Sequence, residues 1–227
     1  MSSIVLSPGA TGAAAFTIEA PSTATSRVIT LPDATDTLVG KATTDTLTNK
    51  TLVAPALGTP ASGNLANCTG AITSGTAQAS TSGTSIDFTG IPSGVKRITV
   101  MFNGVSLSST SSLLVQLGTG STTYTTTGYV GGGARFGASS VASATFTTGF
   151  ALNNSTAASL IGGNVTITNV TGNTWSASGM CGETTGELMC MTGGAIALGA
   201  ALTAVRITSI SGTDTFDAGS INILYES

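Results

Sequence analysis

The sequence contains no histidine, one tryptophan and three cysteines, and only 7% of its 227 residues are charged. Without histidine the commonest general base is missing, and with it the Ser-His and Cys-His pairs and most catalytic zinc sites. Cys68, Cys181 and Cys190 are odd in number and show no C-x-x-C spacing, so free thiols are expected rather than a disulfide framework or a zinc site. Acidic residues number 10 against 7 basic, and no basic run exceeds Lys96-Arg97, which leaves no footprint for a phosphate backbone. No nucleic acid partner is expected. The longest apolar stretch, Ala195 to Val205, falls well short of the roughly 20 residues that span a bilayer. The segment SSIVLSPGATG after Met1 lacks the charged and apolar regions of a secretory signal. Synthesis in a cytoplasm without membrane insertion is the expectation.

What is present is Ser, Thr, Asn and Gly, which supply polarity without charge beside 41% hydrophobic residues. This composition suits strands and turns, and the net charge of −3 offers little self-repulsion, so assembly partners are expected to cover part of the surface. Three regions follow from the patterning. Residues 1–43 hold short alternating runs, FTIEAP and RVITLPD, that Pro21 and Pro32 terminate. In residues 44–84, Leu47, Leu52 and Leu57 recur every five positions, a period that fits neither a helix nor a strand, and Leu65 and Ile72 extend the series at looser spacing. Pro55, Gly58, Pro60, Gly63 and Gly70 interrupt any regular element there. A single chain of this kind cannot bury its leucines against itself, whereas three copies wound together place Leu47, Leu52, Leu57, Leu65 and Ile72 on a common axis. An intertwined trimeric shaft is therefore expected.

Residues 85–227 hold some ten strand-like runs separated by Gly, Asn and Ser turns, among them VKRITVMF, TTYTTTGYV, SVASATFTTGFAL, TWSASGM and INILYE. The pattern predicts an all-β domain, an antiparallel β-sandwich of jelly-roll type. In VKRITVMF, Lys96, Ile98, Val100 and Phe102 share one face. The run Gly131-Gly132-Gly133 lacks a following lysine and reads as a flexible hairpin tip.

Candidate chemistry is sparse. Glu183 with Glu187 and Asp214 with Asp217 are the close carboxylate pairs a glycosidase would need, but both lie in Gly/Thr-rich turns and read as solvated loop carboxylates. No phosphate-binding loop or calcium-loop pattern occurs. No catalytic residue, metal ligand or cofactor is assigned. Trp175, Tyr124, Tyr129 and Arg135 are the candidates for contact with a glycan, because aromatic faces stack on sugar rings and a guanidinium adds planar donors. Each aromatic has a competing role, core packing for Trp175 and strand-surface packing for the tyrosines.

The stretches FTIEAP, RVITLPDATDTLVG and TDTLTNKTLVAPALGTPASG resemble the N-terminal and shaft regions of tailed-bacteriophage fibre proteins, and the block from IPSGVKRITVMFNGVS to FDAGSINILYE resembles the C-terminal β-sandwich of similar phage structural proteins. The resemblance implies a homotrimer in the virion, with residues 1–43 attached to other virion proteins (tail, baseplate, collar or major capsid protein), 44–84 as shaft and 85–227 as an outward knob. It implies a non-enzymatic tail fibre for host-surface adsorption. Only one shaft segment is present, which keeps open the alternative of a head fibre or a capsid decoration (cement) protein that stabilises the shell. A tailspike polysaccharide depolymerase would need a β-helical repeat that the sequence does not show.

Overall fold

A computed structural model describes Thr51 and residues 72–137, 141–153, 156–157, 159–184 and 188–226. The chain divides into two units, 1–58 and 59–227, and the fold below is that of the second. The expected attachment region and Leu47, Leu52, Leu57 and Leu65 lie outside the described residues.

The described part is all-β with antiparallel pairing throughout. One sheet has four strands in the order β3 (Ser85–Thr89), β12 (Ala204–Ser209), β5 (Leu113–Gly118), β8 (Phe150–Leu152). The other runs β1 (Ile72–Ser74), β13 (Phe216–Glu226), β4 (Arg97–Leu107), β9 (Ile161–Thr171), β10 (Thr174–Glu183), β11 (Leu188–Ala197), β6 (Val130–Phe136), β7 (Val141–Phe146), with β2 (Gln78–Ala79) also paired to β13. No helix among the described residues is long and apolar enough to cross a membrane.

The inner faces of both sheets contribute to one hydrophobic core. Ile98, Val100 and Phe102 of β4 point into it, as the alternation of the sequence requires, and Ile86, Phe88, Val205 and Ile207 meet them from the small sheet. Gly104 and Gly219, both at positive φ, let the β4–β13 pair shift register, after which Val105 and Leu107 take over the inward positions. Two strands, β1 and β2, precede residue 85, where the knob is expected to begin, so the folded body takes in the last part of the 44–84 region.

Three local expectations are corrected. Gly131-Gly132-Gly133 is no hairpin tip but the interior of β6, between β11 and β7. A Cβ on Gly133 would lie 2.7 Å from the Ala151 carbonyl oxygen, so absence of a side chain is what lets β8 approach. The run TTYTTTGYV forms only a single bridge between Gly118 and Tyr124 before its last residue, Val130, opens β6, because the stretch folds back over the end of β5. SVASATFTTGFAL makes two strands, β7 in the large sheet and β8 in the small one.

Tyr129 fixes this crossover. Its ring meets Phe150 edge-on at 5.1 Å, and its hydroxyl accepts a 2.8 Å hydrogen bond from Leu117 N–H. Burial pushes its phenol up to about 12, although the Leu117 bond pulls the other way. The folded chain thus keeps a proton that the unfolded chain releases near pH 10. The stability from this group is complete below about pH 10 and is lost as pH rises towards about 12. Tyr129→Phe should leave the buried Leu117 N–H unpaired, costing about 1–2 kcal/mol at neutral pH, and should flatten the alkaline loss. Urea titrations at neutral and strongly alkaline pH would measure both effects.

Candidate functional site

Charge is rare in this chain, yet Asp87 and Arg206 occupy the middle of β3 and β12. Their neighbours Ile86, Phe88, Val205 and Ile207 turn inward, so the pleat turns Asp87 and Arg206 to the outer face of the small sheet. They are directly paired in register, and Gln116 of β5 faces Arg206 from the other side. Arg206 Nε donates to Asp87 Oδ1 and Nη2 to Oδ2, each at 2.7 Å, a bidentate fork. The Tyr124 ring covers the guanidinium, with Cζ 4.0 Å from the ring centroid.

Each group is held by a second contact. Gln78 Nε2 donates to the Asp87 backbone carbonyl at 2.9 Å, and Gln116 Nε2 to that of Thr148 at 2.9 Å. Asp87 raises the Arg206 pKa through the fork. Partial burial, with Asp87 adding to it, pushes the Tyr124 phenol up to about 12 against the pull of Arg206. Both partners of the ion pair are about three-tenths exposed, so solvent limits its contribution to about 1 kcal/mol. Beside the pair lies a depression of about 350 Å³ lined by Arg206, Gln116, Thr84, Thr126, Thr148 and Thr208. Its planar donors and hydroxyls, and an arginine already neutralised by Asp87, suit an uncharged polyol better than an anion.

Of the four candidate glycan residues, Tyr124 is part of this patch. Trp175 and Tyr129 are withdrawn, since they are only 3% and 2% exposed and offer no ring face to a ligand. Trp175 instead packs in the core with its Nε1–H unpaired. Arg135 lies in the large sheet, opposite Cys190 and Ala142, away from the Tyr124 bridge. Arg206 and Asp87 were missed by pattern reading because the pair spans 119 positions of sequence. A usable signal existed: a lone charge at the centre of SIDFT and another at the centre of AVRITS.

The carboxylate pairs make no shared site. Glu183 is buried at the end of β10, where Ser159 Oγ donates to Oε2 at 3.4 Å, so it is not the solvated loop group expected; Glu187 lies outside the described residues. Asp217 is exposed and accepts from Ser106 Oγ, and Asp214 sits in the turn before β13. Cys181 and Cys190 are directly opposite and buried. The hydrogen bond to Cys190 and burial together hold the Cys181 thiol protonated. Among the described residues no group of three or more His, Cys, Asp or Glu could hold a metal ion. No family model, curated protein or solved structure matches the chain.

Proposed function

We propose that this chain is a structural, non-enzymatic virion fibre protein that works as a homotrimer. Residues 1–43 anchor it to other virion proteins, the leucine segment winds into a shaft, and the body from β1 onward is a jelly-roll-like β-sandwich knob that meets an uncharged host-surface glycan at the Tyr124–Arg206 patch. The observation that carries the reading is Ile72. This last residue of the apolar series, which runs at looser spacing after Leu57, is 65% exposed on an edge strand of the body, so in one chain alone it stays wet. Neighbouring copies would cover it.

The strand order supports the knob. β4–β9 and β5–β8 pair while β13 and β12 close beside them, a nested arrangement of two Greek keys. Three knobs on a stiff stalk convert weak single contacts into avidity without new chemistry.

Electron cryo-microscopy of the virion tests the role. Threefold density at the tail with the body pointing outward is expected; density on the capsid lattice would transfer the chain to the decoration alternative, and its absence from the particle would end the proposal. At the patch, Tyr124→Ala should lower adsorption to host cells about tenfold through the multiplied loss at three sites, with the melting temperature nearly unchanged. Full adsorption by this variant would remove the patch from the reading.

A further inference from the structure

The face of β10, β11, β6 and β7 that points away from the core is unusual. Register places Met180 beside Met191, and Met189 beside Phe136, which in turn neighbours Val141, so five large apolar side chains form two adjoining rows. All five are exposed, the methionines by 55% (Met180), 40% (Met191) and 47% (Met189). Beside the Met191 row, on the side away from Met189, Gly132 and Gly193 leave a shallow depression of about 580 Å³ that Met191 also lines. The outward residues of these four strands are Thr, Ser, Gly, Ala, Val, Phe and Met, with no charge among those described. The outer strand, VASATF, carries neither the lysine nor the proline that usually protects a sheet edge.

We infer that this face is an interface between copies of this chain, a step that rests on reading the protein as self-assembling. Three properties favour a second copy over another partner. A neutral face carries no electrostatic selection for a foreign surface, and it meets itself without like-charge conflict. Protruding methionines next to a glycine-floored depression make the face complementary to itself, and methionine adapts to such packing. Its size is that of a small interface: four strands about 4.8 Å apart and seven residues at about 3.4 Å each give about 450 Å² in flat projection. With the matching face of the other copy this is about 900 Å², close to the ~1,000 Å² from which specific interfaces are counted, and the protruding methionines add accessible area to the flat figure.

The test is hydrogen peroxide oxidation of the purified full chain, with free methionine in the same tube and peptide mass spectrometry as the readout, together with sedimentation. Sulfoxide formation at Met180, Met189 and Met191 should run at least about tenfold slower than in free methionine. The double variant Met180→Glu, Met191→Glu should sediment as smaller species and lose the protection of Met189. An oligomer whose three methionines oxidise at the free rate overturns the inference and leaves the fibre reading standing. A dimer with protected methionines supports the inference and removes the threefold reading. A chain that sediments singly at every concentration overturns both.

Discussion

Replacing Leu52 with aspartate should abolish the threefold assembly, leaving single chains or pairs held through the neutral face of the body. Winding three chains together brings the three copies of this side chain to one axis, where apolar burial is what holds them. Aspartate would remove that burial and set three carboxylates in a desolvated core, at a cost of several kcal/mol. The adjacent Thr51 is exposed, so Thr51→Asp is the matched control and should leave the assembly intact. Sedimentation velocity separates the outcomes. An unchanged sedimentation coefficient for Leu52→Asp would refute the wound shaft.

Gly219→Ala should have the largest effect within the body. Gly219 lies at φ +90°, and a Cβ there would fall 2.5 Å from the Asn103 carbonyl oxygen and closer still to that of Gly104. Both obstacles are backbone of β4, so relief requires moving the bulge that sets the register of β4 against β13. A left-handed alanine alone costs about 1–2 kcal/mol, and the collision should bring the total to about 3 kcal/mol or more. Gly90→Ala separates the two causes. It shares a positive φ of +73° but has nothing within 4 Å, so it should show the conformational cost alone. At equal protein concentration, melting temperatures should fall by about 3 °C for Gly90→Ala and about 10 °C for Gly219→Ala. Equal shifts would mean that the β4 backbone gives way easily.

How much of this was legible in the sequence depends on whether the signal was local. The alternation in VKRITVMF declared its inward face because one covered side of an antiparallel strand imposes period two. Gly131–Gly133 misled because glycine marks a turn and a close backbone approach with the same letters; only the nearness of Ala151 tells them apart. Tyr129 and Trp175 were equally ambiguous, since large aromatics serve cores and binding surfaces alike, and burial decided against binding. The Tyr124–Arg206–Asp87 patch was half legible. Tyr124 was singled out, but the ion pair depends on β3 and β12 becoming neighbours, a property of topology that no local pattern encodes. The apolar rows of Met180, Met189 and Met191 were invisible for the same reason: they exist only once β10, β11 and β6 are in register.

Both the proposed fibre role and the proposed interface require that the chain associate with itself. Native mass spectrometry of the purified full-length protein reads this directly. Species at three times the 22.1 kDa chain mass, and at six times where two trimers pair through the neutral face, are the expected result, the trimer persisting on dilution. A single-chain mass from protein that keeps its β structure would contradict the account at its root.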